Sequence, residues 1–238
     1  MKPARLLVLA LALSIGVVAA ACGGSDTNTT TTTSSAAATS TSTPAEPVNI
    51  TLSYDWPTVD FMAVPLVVAD EKGYFAANGV NVEVIFPPDP ASATKILATG
   101  DSNLGLITTS DMAFAVKSSL PVISIGNYTT GNNWGLFTKP GVTIGLDTLK
   151  GKKISTYGDS WTNAMLPFVL KAAGLTDKDV EQVVVDWDLP LLLNGKVDIA
   201  TNTTNFLIPG VKDETGKDPE WILARDNGAP NTPVWVYA

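Results

Sequence analysis

Short apolar runs alternate with stretches in which apolar residues recur every three or four positions, and Gly, Pro or Asn marks most of the changes. The pattern predicts strands over 48–54, 80–86, 104–107 and 122–125. Between them it predicts helices over 62–72 and 110–119, and one running from Ser92 to Thr99 with Ser92 as its cap. Pro65 is tolerable in a first turn, and Gly73 and Gly100 suit left-handed helix stops. A second series follows with strands over 134–138, 154–157, 183–185 and 197–200. Its helices are expected from Asn163 or a neighbour to Ala173, with Pro167 near the first turn, and over 189–194, closed by Gly195. Thr176 and Asp179 have capping-box spacing. Short strands separated by helices argue for parallel βαβ units with both sheet faces covered. Two series argue for two α/β lobes, and ligands of such folds bind in the crevice at the strand C-terminal ends. A last apolar strand over 234–238 stops without a cap, which suggests a C-terminally truncated sequence.

The first 47 residues obey different rules. Lys2 and Arg5 precede an apolar run too short for a comfortable span, which ends in Ala19-Ala20-Ala21 and reads as a signal peptide over 1–21. Cys22, the only cysteine, follows at once and resembles the lipid-attachment Cys of bacterial lipoproteins, with Ala19 where Leu is usual. The alternative is an ordinary signal with an incidental Cys. Residues 25–47 are nearly all Thr, Ser, Ala and Pro, unable to bury enough apolar surface to offset ordering. As a flexible tether they would reach roughly 25–30 Å; a mucin-like stalk is the other reading. The expected localisation is outside the cell membrane, held there by lipid.

Composition narrows the chemistry. The formal charge of −8 becomes −10 without Lys2 and Arg5, and no basic cluster stands out, which argues against nucleic acid as a partner. The chain has no histidine, so a Ser-His-Asp triad, a Cys-His nucleophile and His-ligated metal sites are excluded for these residues. Neither a Walker-type loop nor Gly-x-Gly-x-x-Gly occurs. The chain reads as a binder, with no cofactor or metal expected.

Ile50 to Pro57, Ala63 to Phe75 with its Glu71-Lys72-Gly73-Tyr74-Phe75, and Gly79-Val80-Asn81-Val82-Glu83 resemble the start of periplasmic binding proteins of the thiamine-pyrimidine and sulfonate type. Gly100-Asp101, Leu149-Lys150-Gly151-Lys152 and Asn194-Gly195-Lys196-Val197-Asp198 fall, in order, where that family has comparable motifs, over roughly residues 48–200. The resemblance implies a type II two-lobe fold, a ligand cleft and a final strand returning to the first lobe. The expected division is 48–142 with 226–238 for lobe 1 and 143–225 for lobe 2. It also implies a monomer that delivers a small molecule to an ABC permease and its ATPase. Thiamine-precursor relatives carry Asn and His soon after the Trp, whereas here the stretch is Thr58-Val59-Asp60-Phe61. Relatives of this fold in thiamine biosynthesis use His and Cys of their own chain, which disfavours an enzyme here.

Candidate ligand contacts cluster at strand–helix junctions. Trp56 could stack on a flat heterocycle or pack at the lobe rim, and Asp60 lies in the stretch that follows. Thr109 and Ser110 open a helix whose free N–H groups suit a carbonyl or anionic oxygen, while Asp111 opposes a full anion; Ser110 as a plain N-cap is equally open. Tyr157, Ser160, Trp161 and Asn163 surround Gly158 at the matching junction of the second series. Tyr128 and Asn202 are weaker candidates. A flat heterocycle such as a thiamine pyrimidine precursor leads, a sulfonate, nitrate or similar anion follows, and a surface sensory or adhesion module is the alternative class.

Overall fold

A computed structural model describes residues 46–89 and 92–238, so the expectations for the signal segment, Cys22 and most of the tether lie outside the described residues. In chain order the first elements are β1 (Val48–Ser53), α1 (Val64–Glu71), α2 (Tyr74–Ala77), β2 (Val80–Ile85), α3 (Ser92–Thr99), β3 (Leu104–Thr108), α4 (Thr109–Lys117) and β4 (Gly126–Asn127). They continue with β5 (Trp134–Thr138), β6 (Lys153–Thr156), α5 (Ser160–Ala172), β7 (Glu181–Val184), α6 (Asp188–Leu193), β8 (Ala200–Thr203), α7 (Thr204–Thr215), β9 (Glu220–Leu223) and β10 (Trp235–Tyr237).

The strands form two sheets of one design. The first runs β2-β1-β3-β10-β4, with β1 parallel to β2 and β3, and β10 antiparallel to both its neighbours. In the second, β5 lies antiparallel between β8 and β9, and β6 pairs parallel with β7. A parallel bridge between Ile154 and Ile199 joins β6 to the start of β8 and completes the order β7-β6-β8-β5-β9. Each lobe thus receives one reversed strand from a chain crossing, β5 on the way out and β10 on the return. The expected parallel βαβ units are present in both sheets, and the reversed strand makes each sheet mixed. Strand pairing also puts the change of lobe before Trp134, earlier than the 142 boundary expected from sequence.

Both sheets are covered on two faces, which is why their central strands read as unbroken apolar runs. In lobe 1, Leu106 packs with Leu52, Tyr54 and Met62 on one face, and Ile107 with Ala93, Ala115 and Val236 on the other. In lobe 2, Leu136 joins Ile154, Trp161, Leu166 and Val169, while Phe137 joins Leu192, Leu207 and Val211.

Several boundaries differ from expectation. The strand expected over 122–125 is absent; β4 forms at Gly126–Asn127, because β10 offers Tyr237 and Val236 opposite those two residues. The strand expected over 197–200 shifts to β8, since β5 supplies partners only from Ala200 onward. Ser92 is the first residue of α3 rather than its cap, and Asp89 accepts from its N–H at 3.0 Å and its hydroxyl at 2.8 Å. Helix α5 starts at Ser160, capped by Asp159, so Pro167 lies inside it. Helix α7 and strand β9 were not expected at all, because Pro209-Gly210 interrupts the apolar spacing of α7.

Candidate ligand-binding cleft

A cavity of about 500 Å³ lies between the lobes. Lobe 1 contributes the β1–α1 loop, from Asp55 and Trp56 to Met62, the β3–α4 junction with Thr108 and Asp111, and Val234 and Trp235 at β10. Lobe 2 contributes Trp134, the β6–α5 junction from Tyr157 to Thr162, Trp187, Thr201 to Thr203 on β8, and one face of α7 from Asn205 to Asp213.

Side chains of the two lobes meet across it. Trp56 stands edge-on to Tyr157, with ring centroids 5.5 Å apart and planes at 83°. Phe61 faces Phe206 at 6.5 Å, and Trp187 stands edge-on to Phe206 at 5.4 Å. Beside them three hydroxyls close a triangle: Ser160 lies 3.1 Å from Thr108 and 2.9 Å from Ser110, and those two are 2.9 Å apart. Thr108 caps α4, accepting from Asp111 N–H at 3.0 Å and donating to its carboxylate at 2.6 Å. The first turns of α4 and α5 therefore face each other across the cleft.

Polar atoms at the walls are unevenly spent. Asp55 accepts the indole N–H of Trp235 on Oδ2 at 2.7 Å, and its Oδ1 is buried without a partner. Asp159 caps α5 by accepting Thr162 N–H on Oδ1 at 2.8 Å, and its Oδ2 is likewise buried and free. Trp161, 4% exposed, buries an indole N–H with no acceptor. Burial raises the Asp55 carboxyl well above its ordinary range, against the opposing Trp235 hydrogen bond, and Asp111, Asp159 and Asp60 add repulsion. Burial also raises Asp159, opposed by its cap bonds to Thr162. Beneath Tyr157, Asp188 is fully buried and accepts from Asn202 at 3.2 Å, while Asn202 also donates to the Tyr157 hydroxyl at 3.1 Å. Desolvation first, then this carboxylate, raises the Tyr157 phenol.

Of the sequence candidates, Trp56, Asp60, Tyr157, Ser160, Trp161 and Asn202 line the cavity. Thr109 does not; its hydroxyl donates to the Pro233 carbonyl at 2.5 Å and ties α4 to the returning strand. Ser110 sits behind the wall in the hydroxyl triangle. Tyr128 donates to the Met62 carbonyl at 2.6 Å and braces the β1–α1 loop from behind. Asn163 is exposed and donates to Gly158 at 3.2 Å. Asp60 accepts from the Tyr54 hydroxyl and, at 2.9 Å, from Met62 N–H, so it also shapes that loop. Sequence reasoning missed Asp55 and Asp159 as wall residues, although each stands beside a chosen aromatic or hydroxyl. It also missed the α7 face and Trp235, which only folding brings to the cleft.

A model of the NMT1/THI5-like family matches residues 60–238. The chain belongs to that family. Among relatives of this NMT1/THI5-like chain, a Haemophilus influenzae protein named for thiamine biosynthesis is 33% identical over 152 residues, 63% of this chain and 48% of that protein. The formylaminopyrimidine-binding protein of Halalkalibacterium halodurans is 28% identical over 168 residues, 69% of this chain and 51% of that protein. The 4-amino-5-hydroxymethyl-2-methylpyrimidine phosphate synthase of Aspergillus parasiticus is 28% identical over 160 residues, 66% and 46% of the two chains. The chain thus spans about half the length of the curated relatives it matches. The periplasmic aliphatic sulphonate binding protein SsuA of Escherichia coli superposes with a TM-score of 0.60 at 15% identity, covering 81% of this chain and 61% of that one. Its counterpart from Xanthomonas axonopodis, bound to MOPS, gives 0.59 at 15% identity, covering 81% and 65%. At that identity the likeness establishes the fold, which is that of type II periplasmic binding proteins.

Proposed function

We propose that this chain is an extracytoplasmic solute-binding protein of an ABC importer that captures a small, flat nitrogen heterocycle between its lobes. One observation carries the reading: aromatic side chains of both lobes wall one cavity, and three residues of that wall, Trp161, Asp55 and Asp159, each hold a buried polar atom without a partner. Unpaired buried polar groups are costly, and a small shift of these side chains on binding would let a flat ring that offers an acceptor and donors satisfy them. A ring nitrogen beside an amino group has that layout. The formylaminopyrimidine-binding relative supports the same ligand class, and among the described residues no Lys or Arg lines the cavity for a sulfonate or nitrate.

Binding is favoured over catalysis. Some relatives are named as pyrimidine phosphate synthases, but this chain has no histidine for chemistry of that kind. Cys22 is the proposed lipid attachment, and the permease with its ATPase the proposed partner. Among the described residues no helix is long and apolar enough to cross a membrane.

Thermal unfolding against pyrimidines, purines, flavins, sulfonates and nitrate tests the ligand class. A ligand at 100 times its dissociation constant adds about 2.7 kcal/mol of stability. A shift with heterocycles is the expected result. A shift confined to anions would reverse the choice, and none from a folded chain would move the weight to a sensory or adhesion module. Metabolic labelling with a fatty acid, lost in Cys22→Ala, is expected for the anchor.

A further inference from the structure

We infer that the ligand carries a positive charge on its flat body, and that Asp55 and Asp159, one from each lobe, are its counter-charges. This rests on the proposed binding function and deepens it: it concerns the ligand's charge, which stacking and hydrogen bonding alone leave open.

Among the described residues five carboxylates line the cavity, Asp55, Asp60, Asp111, Asp159 and Asp213, and no basic side chain does. Three have local structural duties. Asp60 caps the short turn after it, Asp159 caps α5 and Asp111 sits in the first turn of α4. Asp55 has none that needs its charge. It is 4% exposed, and its one bond accepts an indole N–H, which a neutral Asn would accept equally well. A second oxygen left bare and buried makes the charge still more costly in the empty cleft. A cationic ligand supplies what is missing.

The helix ends point the same way. Helices α4 and α5 aim their N-termini at the cleft, an arrangement that ordinarily favours an anion. Here the Asp159 carboxylate accepts the Thr162 N–H at the start of α5, and at the start of α4 the Thr108 hydroxyl accepts the Asp111 N–H and donates to the Asp111 carboxylate, so the protein's own groups already use these helix ends. Every Asp, Glu, Lys or Arg side chain lining the cavity among the described residues is an aspartate. Burial first, and then repulsion from Asp111, Asp159 and Asp60, pushes the Asp55 carboxyl up. Among the described residues, no three acidic or Cys side chains are grouped closely enough to hold a metal ion, so the cation is organic. The faces of Trp56 and Tyr157 suit a charge delocalised over a ring.

The test uses matched probes on the purified chain: N-methylpyridinium, N-methylquinolinium and a simple thiazolium, each beside its uncharged parent heterocycle, with an alkanesulfonate as the anion. Thermal unfolding is expected to rise with the cations and much less with the parents. Asp55→Asn and Asp159→Asn retain the indole bond and the helix cap, and each should weaken the cation by about tenfold or more while sparing the parent. Asp70→Asn, an exposed position on α1 that does not line the cavity, serves as the control and should change little. Ligand-free melting of each variant verifies folding. If parents and cations bind equally, the charge inference falls and the heterocycle reading stands. If only the sulfonate binds, or nothing binds a folded chain, both fall.

Discussion

Trp56 and Asp55 are neighbours in sequence with opposite effects on the empty protein. Trp56 is half-buried and packs edge-on against Tyr157 across the cleft, so its loss should weaken a stacked ligand without unfolding lobe 1. Trp56→Ala is expected to cost about 1–3 kcal/mol of binding, read by calorimetry with the best heterocycle. An unchanged affinity would make Trp56 a rim residue. Asp55 concerns stability. Its folded carboxyl keeps its proton to higher pH than the unfolded chain does, chiefly because burial disfavours the charge. Between the ordinary carboxylate pKa, about 3.9, and the raised one, the folded state binds more protons, so stability falls as pH rises through that window. Asp55→Asn should therefore melt higher than the parent at pH 7, the gap closing as pH falls below about 4. A variant that melts lower at neutral pH would show that the carboxylate is stabilising. Asp55 itself was legible in the sequence only as part of a Tyr-Asp-Trp strand end, because a buried, half-satisfied carboxylate has no sequence signature.

The strand β5 shows what pairing demands of one position. A Cβ added to Gly135 would lie 2.4 Å from the backbone carbonyl of Ile222 on β9, which cannot move aside without breaking the ladder. Gly135→Ala should cost about 3 kcal/mol or more, measured by urea unfolding. Gly105→Ala, whose Cβ would meet the flexible Leu97 tip at 2.9 Å, should cost clearly less. Equal losses would mean that backbone approach does not set Gly135. Elements with strong apolar periods and glycine stops, such as β1, α1, β2, α3 and α6, were read to within a few residues. Those missed share a cause. Strand β8 is polar, because Thr201 is buried and donates to the Ser155 carbonyl at 2.8 Å, so its burial is satisfied by hydrogen bonds rather than announced by hydrophobicity. Helix α7 carries Pro209 inside it, tolerated because Leu207 and Val211 anchor it to the Phe137 side of the sheet.

Across the whole molecule, the lobes are held together at the cleft by the Thr108–Ser110–Ser160 hydroxyls and the aromatic contacts beside them. Each hydrogen bond contributes about 0.5–1.5 kcal/mol net, enough to bias an opening equilibrium. Ser160→Ala is expected to enlarge the ligand-free protein in solution scattering and to lower apparent affinity, since fewer molecules would hold the closed form. An unchanged radius would mean that the aromatic contacts suffice. The sequence alone determined the alternation of strands and helices, the presence of two α/β series, the family and the aromatic and hydroxyl residues at the strand–helix junctions, because these depend on local spacing and composition. Tertiary structure decided which lobe owns β5 and that β10 runs antiparallel between β3 and β4. It also decided that Asp55, Asp159 and Trp161 line one cavity and that each holds a buried polar atom without a partner. Those outcomes depend on pairing between segments far apart in the chain, and no local pattern encodes which distant atoms will satisfy a buried polar group.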